Sequence, residues 1–286
     1  MRKNIILITG ASSGIGREFA MQLDPHFTNI DEIWLISRRK DKLAEVAASL
    51  QHKTRILAMD ITKEAQLERL TDTLDDRNAC IRMLVNCAGY GLMGAFGPSD
   101  KSSDKAFEED AAFEDGPDGQ LGMIRVNCEA LTHITYRCLP YMAKGSRIIQ
   151  LASSAAFLPQ PYFAVYAATK SYVLSFSRAL GEELKQKEIY VTSVCPGPVD
   201  TPFFETAEKT GKTLALKKYT MVSAGRVVEQ AIRDSYYKRP MSVCSLPIQA
   251  FHVMTKCVPH QIILGVMEFL KERERYYYED KQNVFL

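Results

Sequence analysis

Ile5-Ile6-Leu7-Ile8-Thr9-Gly10-Ala11-Ser12-Ser13-Gly14-Ile15-Gly16 opens this 286-residue chain with a short apolar run that breaks into three glycines. Four consecutive branched or apolar residues read as a strand buried on both faces. The helix-compatible run that follows makes Gly10–Gly16 a strand-to-helix turn. Glycine permits the sharp turn and lets backbone approach a ligand closely. A helix beginning there points unpaired N–H groups and its positive dipole end at whatever fills the turn, which suits a phosphate. The spacing is G-x-x-x-G-x-G, not the general G-x-G-x-x-G. Three glycines in seven residues are compatible with a plain turn, but the strand-to-helix context favours a pyrophosphate cradle. Thr9, Gly10, Ser12, Ser13, Gly14, Ile15 and Gly16 are its candidate residues.

Outward from this turn, apolar runs alternate with amphipathic ones. Strands are expected at Ile5–Ile8, Ile33–Ile36, Arg55–Ala58, Met83–Val85, Arg147–Leu151 and Tyr190–Val194, and helices near 14–23, 40–50, 63–76, 120–142, 164–187 and 224–237. Such alternation implies βαβ crossovers and an α/β fold with a doubly wound parallel sheet, here of about seven strands. Ligands of such sheets bind beyond the carboxyl ends of the strands. No repeat or linker divides the chain, so one domain over 1–286 is expected, with a cofactor and catalytic core at 1–201 and a substrate-side and C-terminal segment at 202–286. Gly94 to Gly122 reads as an acidic surface excursion. Met241 to Leu270 is apolar and precedes a charged tail containing Tyr276-Tyr277-Tyr278. Capping a substrate pocket ranks first among its roles, then pairing with another subunit, then touching a membrane surface.

Composition excludes several classes of function. Thirty-six Lys and Arg balance 34 Asp and Glu, leaving a formal charge of +2 and no basic footprint for nucleic acid. The seven cysteines lack the paired spacing of a disulfide framework or zinc site, which points to reduced thiols. The amino terminus lacks the apolar length of a secretory signal, and no stretch reaches the roughly 18 apolar residues of a membrane span. A cytoplasmic location is the expectation.

The second strand ends in Ser37-Arg38-Arg39. An acidic residue here would hold the ribose 2′-hydroxyl of NAD, whereas Arg38 offers a planar donor group for the 2′-phosphate of NADP. The alternative is a solvated basic helix start. NADP(H) is therefore preferred, with NAD(H) still open. Asp60 and Ile61 close the third strand. Asp60 suits an adenine amino group and equally the start of the helix near Thr62.

Tyr166 and Lys170 are four apart in a run without Pro or Gly, so on a helix they share a face. Y-x-x-x-K alone is weak evidence. Ser153-Ser154 ends the fifth strand, and Pro159-Gln160-Pro161 would fold those serines over the helix start. Free tyrosine titrates near ~10, too high for ready proton exchange at neutral pH. A neighbouring ammonium would lower that value and make Tyr166 a general acid or base. A serine hydroxyl could hold a carbonyl oxygen as charge develops on it.

Together, T-G-A-S-S-G-I-G at 9–16, Asp60, N-C-A-G at 86–89, Asn127, Ser153, Tyr166, Lys170 and P-G-P-V-D-T at 196–201 resemble the short-chain dehydrogenase/reductase family in its compact single-domain branch. The resemblance spans residues 5 to about 201. It implies a Rossmann-type domain that moves a hydride between a nicotinamide cofactor and a carbonyl or alcohol, without need of a metal. By that resemblance Tyr166 exchanges the proton, Lys170 holds the nicotinamide ribose and acidifies the phenol, and Ser153 orients substrate. Asn127 holds a water that links Lys170 to solvent. Asn86, Ala88 and Gly89 line the cofactor path, and Asn86 also ties neighbouring strands. Pro196, Gly197, Val199 and Thr201 fix the carboxamide and phosphates. Thirteen residues separate Ser153 from Tyr166, the family's common interval, which ranks Ser153 above Ser154. Family habit implies a homodimer or homotetramer packed through the 120–142 and 164–187 helices. A catalytically weak dinucleotide-binding regulatory protein on the same fold is the alternative.

Overall fold

A computed structural model describes residues 2–96, 119–207 and 221–266. Most of the acidic excursion and the tyrosine run at 276–278 lie outside the described residues. In chain order the elements are β1 (Lys3–Thr9), α1 (Gly14–His26), β2 (Glu32–Ser37), α2 (Lys40–Ala47), β3 (Thr54–Ala58), α3 (Glu64–Asp76) and β4 (Ala79–Asn86). Next come α4 (Gln120–Ile124), a π-helical segment (Arg125–Ala130), α5 (Leu131–Cys138), β5 (Met142–Leu151), α6 (Ala164–Glu183) and β6 (Tyr190–Val194). The remainder comprises β7 (Val199–Asp200), α7 (Phe203–Ala207), β8 (Val222–Ser223), α8 (Ala224–Tyr236), β9 (Met241–Ser242) and α9 (Leu246–Cys257), with a last helical run at 260–266.

Among the described residues, seven strands form one parallel sheet in the order β3-β2-β1-β4-β5-β6-β9. β7 and β8 make a small parallel pair apart from it. The order reverses direction between β1 and β4, which opens a crevice at their carboxyl ends.

Side chains alternate across each strand, and the two faces build two cores. Ile6, Ile8, Ile33, Leu35, Met83 and Val85 face Phe19 and Leu23 of α1 and Val227 and Val228 of α8. Ile5, Leu7, Trp34, Ile36, Ile81 and Leu84 face Leu67, Leu70 and Leu74 of α3 and Ile134 of α5. Each such fully buried side chain contributes about 1.5–3 kcal/mol relative to exposure. This two-sided burial explains why the strands read as continuous apolar runs.

The six expected strands and helices all form, with differences at their ends. The 120–142 helix is broken by the π-helical segment at Arg125–Ala130 and stops at Cys138, because Pro140 lacks an N–H and the chain enters β5 at Met142. The expected 40–50 and 164–187 helices end earlier, at Ala47 and Glu183. The short β9 carries only two residues, below what an apolar run reveals. Among the described residues, no helix is long and apolar enough to cross a membrane.

Candidate active site

A cavity of ≈ 1270 Å³ runs along the carboxyl ends of the strands, from the glycine turn to the C-terminal helices. Its lining includes Gly10, Ser12, Ser13, Gly14, Ile15, Gly16, Arg38, Asp60, Ile61, Ala88 and Gly89. Ser153, Ser154, Tyr166, Lys170, Pro196, Gly197, Val199 and Thr201 line it further along.

Thr9, Asn86 and Asn127 stand behind this wall and fix it. Thr9 Oγ1 accepts from the Cys87 and Ala88 N–H groups, both at 3.1 Å, which ties the end of β1 to the end of β4. Asn86 Nδ2 donates to Thr135 Oγ1 and to Gln150 Oε1, both at 3.0 Å, so Asn86 does tie neighbouring strands. Asn127 sits in the π-helical segment, a departure from α-geometry that often marks functional sites. Its Oδ1 accepts from Tyr90 N at 3.1 Å, and its Nδ2 donates to Tyr90 O at 2.9 Å and Thr169 Oγ1 at 3.0 Å. The Asn127 side chain thus clamps the chain just after Gly89. A Cβ on Gly89 would stand 2.8 Å from Asn127 Oδ1.

The glycine turn has the form of an anion cradle. Gly10 has φ +67°, and a Cβ on Gly16 would meet Gly10 O at 2.3 Å, so neither tolerates a side chain. Ser13 caps α1 without a side-chain hydrogen bond to the first turn, and that turn holds no acidic residue. The positive end of α1 therefore faces the cleft without a side-chain counter-charge. Across the turn, Arg39 Nη2 donates to Ser12 Oγ at 2.9 Å and to Ser13 Oγ at 2.8 Å. Arg38 also lines the cleft. Sequence reasoning chose Arg38 alone and missed Arg39, although the adjacent pair was the available signal. These residues fit the diphosphate and ribose of a dinucleotide. Asp60 Oδ1 accepts from the N–H and hydroxyl of Thr62, at 3.0 and 2.8 Å, while the carboxylate remains on the cleft lining. Asp60 therefore closes a turn with Thr62 and does not cap α3, which starts at Glu64 with Lys63 at its N-cap and no side-chain cap. The reading of Asp60 on an adenine amino group remains compatible with its place on the lining.

Farther along, Tyr166 and Lys170 occupy one face of α6. The chain reverses into that helix through Pro161 and Tyr162, whose φ of +63° lies in the left-handed region. Ser153 caps the short helical turn Ser154–Phe157, accepting from Ala155 N at 3.1 Å, and its hydroxyl lies near enough to the Tyr166 phenol to pull its pKa down. Ser154 instead directs its N–H to Pro196 O at 2.8 Å. Both serines line the cleft, and Ser153 is the one whose hydroxyl acts on the phenol.

The expected acidic phenol is not what the structure gives. Burial pushes Tyr166 up to about 12, against the opposing pull of the Ser153 hydroxyl. Burial also brings Lys170 down to about 8, partly opposed by the Cys87, Cys128 and Cys195 thiols. Lys170 Nζ lies over the tyrosine ring, 5.6 Å from its centroid, and donates to Leu151 O at 2.7 Å. Desolvation of both groups therefore outweighs any charge effect of the ammonium on the hydroxyl. Phe163 stacks on Tyr166 with centroids 4.3 Å apart, and Phe203 lies at 5.5 Å. Neither was expected from sequence, since a phenylalanine near a helix start carries no catalytic signal by itself.

The C-terminal helices close the far end through Ile248, Phe251, Met254 and Ile263. Capping the pocket, the first-ranked role for this apolar segment, accords with that placement.

The family profile described as short chain dehydrogenase matches residues 4–212. An uncharacterised oxidoreductase of Staphylococcus epidermidis is 32% identical over 207 residues, covering 72% of this chain and 82% of that protein. A short-chain dehydrogenase from Sphingobium yanoikuyae, solved with NADPH, superposes with a TM-score of 0.68 at 24% identity, covering 93% of this chain and 95% of the other. A short-chain dehydrogenase/reductase from Burkholderia phymatum, solved with NAD, gives 0.70 at 20% identity, covering 88% and 92%.

Proposed function

Because the chain belongs to the short-chain dehydrogenase family, whose members are oxidoreductases with a nicotinamide-binding Rossmann fold, we propose that it is an NADP(H)-dependent carbonyl reductase using Tyr166 as its acid. The observation that carries the reading is that Ser153, Tyr166 and Lys170 line the same cleft as the Gly10–Gly16 turn.

A bound nicotinamide supplies the hydride, and the chain supplies the rest. The α1 amino end and the Ser12 and Ser13 hydroxyls hold the diphosphate. Arg39, spanning those serines, and Arg38 beside it supply donors for a 2′-phosphate, which supports NADP over NAD. Pro196, Gly197, Val199 and Thr201 position the nicotinamide end. Ser153 and Tyr166 hold the carbonyl oxygen between two hydroxyls, and the Tyr166 Oη proton passes to that oxygen as negative charge develops there. A phenol held protonated by burial suits reduction better than oxidation. Lys170 acts through its charge, while Asn127 holds the Gly89–Tyr90 backbone in place.

The reaction belongs in a reducing cytoplasm, where the chain's seven unpaired thiols would persist. Leu121, Ile124, Tyr136 and Tyr172 expose apolar surface on α4, α5 and α6, which supports a homodimer or homotetramer through those helices. Light scattering reads that mass. For the activity, the test is NADPH oxidation over a panel of ketones and aldehydes, with Tyr166→Phe as control. Consumption by the parent enzyme and not by the variant is expected. Equal rates would overturn the reading.

A further inference from the structure

Charge is distributed unevenly along the cleft. Among its described lining residues, the charged side chains are Arg38, Arg39 and Asp60 at the dinucleotide end and Lys170 beneath Tyr166. Beyond Ser153 the described wall carries no charged side chain and is mostly hydrocarbon and ring, supplied by Phe163, Phe203, Ile248, Phe251, Met254 and Ile263, with Gln160 and Tyr162 adding polar groups. The whole cavity, ≈ 1270 Å³, exceeds the roughly 300–1,000 Å³ typical of a site for one small ligand. It can take a dinucleotide and a second, extended molecule. Apolar surface also continues outward from the mouth, where Ile262 and Val266 line the cleft and stay more than half exposed.

We infer that the substrate is a carbonyl compound with an elongated, uncharged apolar body, held against the C-terminal helices with its carbonyl at Ser153 and Tyr166. The inference rests on the reductase reading and narrows it. A carboxylate, sulfonate or ammonium on the substrate body would be desolvated here without an opposite charge among the described lining residues at this end, a large cost. Each methylene buried against the wall instead gains affinity, about fourfold for the transfer of one CH2 from water.

Affinity and turnover can be read separately. With the protein saturated by NADP+, which carries no hydride to transfer, calorimetry on 2-alkanones of four to ten carbons should show Kd falling about fourfold per added methylene. An oxo-carboxylic acid of equal length should bind at least about tenfold more weakly. Met254→Asp and Ile262→Asp, both at partly exposed positions, should raise Kd for the ten-carbon ketone by about tenfold or more, and NADPH affinity reports whether each variant is folded. Affinity that does not change with chain length, or tighter binding of the acid, would overturn the inference in the parent protein alone. NADPH consumption with the same ketones, in separate samples, tests the reductase reading independently. Length-dependent affinity without consumption would sink that reading and leave the ligand class standing.

Discussion

Lys170 Nζ sits over the ring of Tyr166, 5.6 Å from its centroid, and spends a hydrogen bond on the Leu151 carbonyl at 2.7 Å. The ammonium is thereby fixed to the end of β5 and does not meet the phenol oxygen head-on. Proton transfer and positioning are split between neighbouring residues, and each can be removed alone.

Tyr166→Phe removes the proton and keeps the ring that stacks on Phe163. Turnover should fall by roughly 10²–10⁴, the usual share of a general acid. NADPH affinity should hold, because the variant leaves the glycine turn and Arg39 untouched. Steady-state kinetics with a cofactor titration checks both, and a variant that retains most of its kcat would remove Tyr166 from the chemistry.

The pH profile should follow Lys170. Burial lowers its pKa to about 8, so the ammonium is present below that pH and lost above it. If the charge supports turnover, kcat should decline as pH rises through about 8, tending to tenfold per unit. The phenol, pushed up to about 12, stays protonated over this range and adds no descending limb. A profile level from about pH 6 to about pH 10 would show that the charge of Lys170 is dispensable.

Cofactor choice should respond at Arg39 as well as Arg38. Arg39→Asp replaces the bridge to Ser12 and Ser13 with a group that repels a 2′-phosphate and accepts from a ribose hydroxyl. Loss of charge-assisted hydrogen bonds worth about 1.5–3 kcal/mol corresponds to roughly a 10–100-fold drop in kcat/KM with NADPH. Arg38→Asp should shift the ratio the same way. An unchanged NADPH to NADH ratio in both variants would show that this corner does not read the phosphate.

Much of this site is local in sequence, and local signals survive without coordinates. The glycine turn, the i,i+4 pair on α6 and the apolar strands each follow from spacing over a few residues. What escaped depends on tertiary contact. Arg39 and Arg38 are equivalent as letters, and only the turn into α2 aims Arg39 at Ser12 and Ser13. Phe203 reaches Tyr166 from 37 positions away, through a Cβ-free gap at Gly91 where an added methyl would stand 2.8 Å from the Phe203 ring. The direction of the tyrosine shift was missed because burial, invisible in a motif, outweighs the nearby charge. The π-helical segment around Asn127 likewise has no signature in an amphipathic run.

Acid stability should depend on two buried carboxylates remote from the cleft. Glu32 lies at the amino end of β2, 1% exposed, and accepts from Trp34 Nε1 at 3.0 Å with Lys3 at 3.4 Å and Arg55 at 3.5 Å. Burial raises its pKa, but the Trp34 hydrogen bond and these cations outweigh it and hold the carboxyl below its usual 4.5. In Asp24, burial is similarly outweighed by the Gln51 and His52 N–H groups and the His52 ring, leaving it below 3.8. A carboxyl whose folded pKa is depressed contributes stability that is present above its unfolded pKa and is lost as pH falls through the folded one. Unfolding free energy should therefore decline as pH drops below about 4.5, and less steeply in Glu32→Gln. At neutral pH that variant should cost about 1–3 kcal/mol, since Trp34 keeps an acceptor but the cations lose their counter-charge. Urea titrations of both proteins at neutral and acidic pH measure the two slopes, and parallel pH dependences would show that Glu32 is not the group being titrated.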